Sequence, residues 1–185
     1  IALIITSFIF VLLKINYSWS HNDSLPFSFD QFSFEKFKIS LFILFLFFQI
    51  TLGALVSGID AGNSYNEWPQ MDGKFVPEDY FSLEPNYINF VENPATVQFN
   101  HRIMGYFLFL FGLYIWIKGR FKKNQIQTLK KDYNILLLLL IIQVFIGIFT
   151  VIYSVPISLG VLHQLFAVLL LLAAINLRFN LFLIK

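Results

Sequence analysis

Long apolar segments constrain the fold of this chain more than any other feature of its sequence. Four of them, at about residues 38–58, 94–117, 134–153 and 156–177, approach or reach the roughly 20 residues that an α-helix needs to cross a bilayer. The chain is 57% hydrophobic and 13% charged, with a mean hydropathy of +0.70, whereas soluble domains average about 25% charged residues. We therefore predict an all-α, polytopic membrane protein built on a four-helix transmembrane bundle.

The N-terminal part of the sequence differs from this bundle. Residues 1–14 are apolar but too short to span, and they lack the basic segment and the cleavage site of a signal peptide. We predict that they are the end of a truncated transmembrane helix whose beginning lies upstream. Residues 15–37 then form a polar connection on the inner side, which contains a solvated His21. The predicted units are therefore 1–37 and a four-helix half at 38–185.

The distribution of basic residues predicts the orientation. The connection at residues 118–132 carries six Lys or Arg, and a dense basic cluster in a short loop marks the cytoplasmic or matrix side. The 59–93 loop and the turn at 154–158 then lie on the outer side. Loops as long as 59–93 usually have a function or are disordered, and its aromatic residues predict an ordered cap on the bundle.

Two histidines lie at equal distances from two helix starts. Pro favours the first turn of a helix, and His101 and His163 each follow a Pro, Pro94 and Pro156, by seven residues. Seven residues span roughly 10 Å of helix. Both imidazoles are therefore predicted to lie at the same depth below the outer membrane face.

A weak internal repeat accompanies the histidines. Gln49 is followed four residues later by Gly53, and the third apolar segment repeats this spacing with Gln143 and Gly147. Residues four apart share one helix face. Each pair precedes a helix that carries the Pro-to-His spacing. The sequence thus predicts two copies of one helical hairpin, related by a pseudo-two-fold axis along the membrane normal.

Ionisable groups inside a membrane helix indicate function by default, although one His can also hydrogen-bond a neighbouring helix. Two at matched depth favour a metal. The chain has no Cys, which excludes disulfides and thiolate sites, and no Asp or Glu lies in the predicted spans. Zinc requires four ligands, whereas a haem supplies four nitrogens itself and accepts two axial imidazoles. A haem b held by His101 and His163 is therefore predicted.

Other residues have two open interpretations each. Gln49 and Gln143 either bind the haem edge or its ligands, or join helices. Arg102 either pairs with a haem propionate or reaches towards the interface. Asp60 either binds a partner or forms a turn. Gly105, four residues after His101, and Gly160, three before His163, are predicted to leave room for a porphyrin edge.

Three stretches together resemble one family. They are LGALVSGIDAGNSYNEWPQM at 52–71, FVPEDYFSLEP at 75–85 and ENPATVQFNHRIMGY at 92–106, and residues 155–164 fit the same pattern. They are similar to the haem A synthases of mitochondria and bacteria. The resemblance implies an eight-helix protein of two similar halves that oxidises a methyl group of haem O to the formyl group of haem A.

The same resemblance implies roles for this chain. It would be the second half, which binds haem b through two histidines matching His101 and His163, for electron relay or structure. The first half carries a Glu three residues before its own His, and Gln98 stands at that position here. The catalytic residues would then lie outside this chain, which would bind haem without converting haem O.

The resemblance also implies partners and a location. The expected partners are membrane lipid, the missing N-terminal four-helix half, haem O synthase and an electron acceptor. The expected location is a bacterial plasma membrane or the mitochondrial inner membrane. A net charge of +2 is too small to suggest nucleic acid. A non-catalytic haem-b electron carrier and a haem-free transporter half remain as alternative functions.

Overall fold

The computed structural model describes Phe10 and residues 34–183, and the predicted N-terminal helix end and its connection therefore lie outside the described residues, Phe10 apart. Within that range the chain is helical and contains no β-strand. Its helices are α1 (Phe34–Gly58), a short α2 (Asn89–Glu92), α3 (Pro94–Arg120), α4 (Gln127–Ile152) and α5 (Ile157–Leu183). The four long helices are long and apolar enough to cross a membrane. This confirms the predicted all-α membrane fold.

Every long helix is longer than predicted at the end that carries the basic residues. α1 begins four residues earlier and α4 seven residues earlier, while α3 and α5 end three and six residues later. Charged side chains there were interpreted as connections. Lys and Arg can instead remain in a helix at the interface, because their long stems reach the polar region of the bilayer.

The four long helices form a closed ring. α1 packs against α3 and α5, and α4 packs against the same two helices. The main cluster of buried apolar residues lies in the half nearer the basic ends, which we call the inner half. It includes Phe42 of α1, Ile115 of α3, Leu136 of α4 and Leu171 of α5.

Two glycines of α3 allow close packing in the inner half. A Cβ on Gly119 would meet the phenol ring of Tyr133, and one on Gly112 would meet Cδ2 of Leu140. Neither space admits even a methyl group. Small residues at these positions therefore bring α3 and α4 together, as is common where lipid removes the hydrophobic drive between helices.

The loop at residues 59–93, which we call the outer loop because it lies at the end of the bundle opposite the basic helix ends, is held by polar groups. The Asn93 side chain caps α3 by accepting a hydrogen bond from the Thr96 N–H, and its amide donates to the Asp79 carbonyl and to Oδ1 of Asn89. Oγ1 of Thr96 accepts from the Phe81 N–H. Asn89, Asn93 and Thr96 are all buried. The start of α3 and the loop thus form one hydrogen-bonded unit.

Only some aromatic residues of this loop pack on α3, where Phe75 and Tyr80 both contact the Phe99 ring. Trp68, Phe75, Tyr87 and Phe90 are between 43% and 72% exposed. Tyr80 and Phe81 are partly buried, and Tyr80 contacts the Phe99 ring of α3 at a centroid distance of 5.0 Å. The loop is ordered over the bundle mainly because its backbone carbonyls and amides find side-chain partners on α3.

The turn between α4 and α5 packs against the outer loop. Val155 has φ 54°, a left-handed conformation that is unusual for a β-branched residue. Its Cγ2 lies 2.9 Å from the position of a Cβ on Gly62. Asn66 also donates to the Val151 carbonyl at 3.1 Å. The two hairpins are therefore joined at their outer ends, and Gly62 is required there by close approach.

Candidate haem-binding site

His101 of α3 and His163 of α5 lie next to each other in the outer half of the bundle. Their ring centroids are 6.5 Å apart and the ring planes are inclined at 72°. Both residues are partly buried. The equal Pro-to-His spacing predicted one common depth, and the structure brings the two rings together across α3 and α5.

A glutamine of the preceding long helix, α1 or α4, contacts each ring. Nε2 of Gln49 lies 3.2 Å from Nδ1 of His101 and donates to the carbonyl of the same residue at 3.0 Å. Nε2 of Gln143 lies 3.3 Å from Nε2 of His163. The two hairpins of the predicted repeat therefore present the same pair of side chains, one from each of their helices.

A glycine one turn further along contacts the same rings. A Cβ on Gly53 would lie 3.2 Å from Cε1 of His101, and one on Gly147 would lie 2.8 Å from Cε1 of His163. The Cε1 edge of each imidazole therefore rests against the backbone of the preceding helix. The repeat thus extends to contacts, with Gln and Gly four residues apart on one helix face.

Several buried polar atoms at this site lack a partner in the described part of the chain. They are Oε1 of Gln49, Oε1 of Gln143 and Nδ1 of His163. Buried polar groups are normally hydrogen-bonded, and each exception calls for an explanation such as a missing ion or ligand. All three lie on residues that contact or form the histidine pair.

The spacing of the rings can be tested against a metal. An iron bound to one nitrogen of each ring at roughly 2 Å, as in zinc–imidazole bonds, would place the ring centroids about 6.3 Å apart. The observed 6.5 Å matches this. No group of three or more His, Cys, Asp or Glu that could hold a metal occurs in the described residues. The pair therefore suits a metal whose other ligands come from a porphyrin.

The two predicted porphyrin-facing glycines differ. A Cβ on Gly160 would meet no atom within 4 Å, so the space beside it is open, three residues before His163. A Cβ on Gly105 would lie 3.4 Å from Nε2 of Gln49. Gly105 therefore faces the glutamine that contacts His101, and its role beside a porphyrin stays a prediction.

Arg102 and Gln98 bind the outer loop. Arg102 donates to the carbonyls of Tyr65 and Glu67 at 2.8 Å each, and its Nε is buried without a partner. The amide of Gln98 donates to the Tyr65 carbonyl at 3.0 Å. Arg102 directly follows His101 and Gln98 precedes it by three residues, and their contacts hold the loop above the histidine. Asp60 has φ 54° at the start of a 3₁₀ turn, which favours its interpretation as a turn residue.

A polar cavity of about 520 Å³ lies between the outer loop and the start of α3. Its lining includes Tyr65, Glu67, Asp72 and Asp79, and neither histidine lines it. The histidine site and this cavity are therefore separate, and the cavity does not belong to the haem hypothesis.

Sequence reasoning missed one buried carboxylate. α4 begins at Gln127 rather than 134, so Asp132 lies within the helix and is only 9% exposed. It accepts hydrogen bonds from Asn180 at 2.7 Å and Asn176 at 3.3 Å. The expectation that the spans contain no acidic residue was therefore wrong. The sequence feature that could have indicated this carboxylate is the pair Asn176 and Asn180, which lie four residues apart and form a polar stripe on α5.

Taken together, these features define a polytopic helical membrane protein with a repeated Gln–Gly–His arrangement near one face. A family model described as Cytochrome oxidase assembly protein (COX15-CtaA) matches residues 2–175. The chain belongs to this family.

Curated relatives agree with this assignment. A protein named Heme A synthase from a Ruegeria species is 43% identical over 135 residues, which cover 73% of this chain and 35% of the relative. The Heme A synthase of Sinorhizobium medicae is 46% identical over 122 residues, covering 65% of this chain and 33% of the relative. The chain thus spans about a third of the length of these relatives. No solved structure matches it.

Proposed function

We propose that this chain is the second half of a haem A synthase, and that it binds a haem b between His101 and His163. The observation that supports this most directly is the 6.5 Å separation of the two rings, which fits one shared iron. The family assignment and the unpartnered atoms of Gln49 and Gln143 support it independently. A haem b bound there would supply one-electron redox chemistry.

The complete protein would oxidise a methyl group of haem O to the formyl group of haem A. The histidine-bearing halves of the four described long helices contain no Asp or Glu: Gln98 stands three residues before His101, where the first half is expected to carry an acid, and Asp132 lies at the inner end of the bundle. We therefore place the oxidation of haem O outside this chain, whose histidine half serves electron relay or structure. The chain alone is expected to bind haem without converting haem O.

The surroundings of the site complete the proposal. Arg102, whose Nε remains unpartnered, is proposed to meet a haem propionate near the outer face. The basic helix ends favour an orientation with the 59–93 loop outside, in a bacterial plasma membrane or the mitochondrial inner membrane. The proposed partners are lipid, the first four-helix half, haem O synthase and an electron acceptor.

The histidine pair can be tested by absorption spectroscopy. His101→Ala and His163→Ala, each made in the protein expressed from the complete gene, are expected to remove one low-spin haem b per molecule from the reduced-minus-oxidised spectrum. His21→Ala, which changes the third histidine of the chain, should leave the spectrum unchanged. Retention of full haem b content in both single variants would contradict the ligand assignment.

The same material separates the enzyme from a non-catalytic haem-b electron carrier, because both would bind haem through this pair. Haem extracted from cells that make haem O is expected to include haem A only when the complete gene is present. Haem b binding without any haem A formation would favour the electron carrier. Absence of haem b from the purified wild-type protein would contradict both functions.

A further inference from the structure

Each imidazole of the pair contacts two residues on the long helix that precedes its own, α1 for His101 and α4 for His163. We propose that these residues set the orientation of the ligand rings: Gln49 with Gly53 for His101, and Gln143 with Gly147 for His163. They would be positioning residues, since they act through the histidine rather than on the iron. The inference rests on the proposed function, because ring orientation has a spectroscopic meaning only when an iron is bound.

The glycines limit how each ring can turn. A Cβ on Gly147 would lie 2.8 Å from Cε1 of His163, which is closer than real Cβ atoms approach other groups, and 3.4 Å from Nδ1 of the same ring. Any side chain at this position would have to rotate or displace the ring. The contact at Gly53 is looser, at 3.2 Å. Ligand geometry must be held to about 10–20°, so a displaced ring would alter the bond to iron.

The glutamines provide the hydrogen bond that a ligand histidine needs. An imidazole that binds a metal through one nitrogen carries a proton on the other nitrogen. That N–H normally donates a hydrogen bond to an acceptor. The Oε1 atoms of Gln49 and Gln143 are buried and lack partners. The Gln49 amide nitrogen lies 3.2 Å from Nδ1 and 3.4 Å from Nε2 of His101, and the Gln143 amide nitrogen lies 3.3 Å from Nε2 of His163. Half a turn about the last side-chain bond brings Oε1 of either amide to the place that Nε2 now occupies.

The two glutamines are not equivalent, however. Gln49 also donates to the carbonyl of His101 at 3.0 Å, and turning its amide would break this bond. Gln143 contacts only the ring of His163 among the described hydrogen bonds. Gln143 is therefore the better acceptor. A glutamine that accepts a hydrogen bond from the ring N–H makes the histidine a more basic ligand. A more basic ligand favours the ferric state and lowers the reduction potential of the haem.

The glycine contacts are tested with three alanine variants in protein from the complete gene. Gly147→Ala is expected to change the low-spin ferric EPR g values of the His101–His163 haem and to lower its occupancy. Gly53→Ala should produce a smaller change in the same signal. Gly58→Ala, whose Cβ would meet nothing within 4 Å, is the matched control from the same helix as Gly53 and should match the wild type. The signal is identified by its loss in His163→Ala.

The glutamines are tested through the midpoint potential of the same haem. Gln143→Leu removes the acceptor and should raise the potential, and Gln49→Leu should raise it less. Haem content measured beside each titration shows that the site is still filled. If Gly147→Ala binds no haem, the decision falls to Gly53→Ala and Gln143→Leu, which alter the site less.

Two results have distinct meanings. The inference would be overturned by an unchanged midpoint potential in Gln143→Leu together with wild-type g values in both glycine variants. If Gly147→Ala binds no haem, the g values of Gly53→Ala alone are used. The histidine variants would still support haem binding in that case. Absence of any haem that depends on His101 and His163 would overturn the proposed function and this inference together.

Discussion

The inner and outer halves of the bundle use the same residue type for different purposes. In the inner half, Gly112 and Gly119 bring α3 against apolar and aromatic side chains of α4. In the outer half, Gly53 and Gly147 bring a helix backbone against an imidazole. The inner half contains the main cluster of buried apolar residues, whereas the outer half contains Gln and His side chains with unpartnered atoms.

This difference shows how the chain combines stability with a polar site. An unpartnered buried polar group costs about 1–3 kcal/mol, and three such atoms lie at the histidine pair. Lipid supplies no hydrophobic drive between helices, so close packing must stabilise the bundle. The inner half provides that packing. We therefore expect inner-half substitutions to reduce stability and substitutions around the histidine pair to change the site.

The largest effect on stability is expected at Gly119. Gly119→Ala places a methyl group against the ring of Tyr133, and such overpacking typically costs about 1–3 kcal/mol. The melting temperature in detergent should fall clearly, while any haem spectrum of the folded protein should keep its wild-type position. Gly58→Ala serves as the control. A shifted haem spectrum without lost stability would break the proposed division between the halves.

Asn93→Ala should have the next largest effect and should act on the outer half. It removes the cap of α3, worth about 1 kcal/mol, and leaves the buried Asn89 side chain without one of its partners. We expect a loss of about 2 kcal/mol and faster proteolysis within the outer loop. Asn63→Ala, at an exposed residue of the same loop, is the control. Equal proteolysis of both variants would show that the cap does not hold the loop.

Asp132→Ala tests the polar exception within the inner half. It removes the acceptor of both Asn176 and Asn180, at an expected cost of about 1–2 kcal/mol. Asp132→Asn should cost less, because its amide oxygen still accepts one hydrogen bond. Thermal unfolding measures both. The inner half would prove tolerant of unpaired polar groups if neither variant lost stability.

The smallest effect concerns the outer loop at high pH. Burial, followed by the nearby Asp79 carboxylate, raises the pKa of Tyr65 above its ordinary value of 10.0. Because the unfolded phenol ionises first, its contribution to stability is present below pH 10 and is lost as the pH rises through the folded-state pKa. Asp79→Asn should lower the Tyr65 pKa in an ultraviolet titration. An unchanged titration would show that Asp79 has no influence on this phenol.

The sequence predicted the features that depend on local patterns. Hydropathy located the four helices, and the spacing of Pro94 to His101 and Pro156 to His163 predicted a common depth. The helix ends were wrong where basic residues continue into the interface, and Asp132 was missed for this reason. The contacts of Arg102 with the loop could not be predicted, because they join backbone carbonyls more than 30 residues away.

The site was only partly predictable, because spacing along one helix is visible in the sequence whereas the neighbours of a helix face are not. The Gln–Gly repeat was visible as spacing, but only the structure shows that Gly53 and Gly147 face the imidazoles. Helix rotation decides which neighbour a face meets, and tertiary packing determines that rotation. The aromatic residues of the outer loop were a weaker guide to structure. The exposed side chain of Tyr87 shows that aromatic composition alone does not reveal which side chains pack.

The contact between Val155 and Gly62 has a practical consequence for topology mapping. A reporter inserted into the short turn at 154–156 would separate the two hairpins beside the histidines, although that turn looks suitable for insertion by length alone. The connection at 121–126 is mostly exposed and is the safer position for an epitope, for example between Lys123 and Asn124. Antibody access there, compared in sealed vesicles of each orientation, would establish which membrane face carries the basic ends.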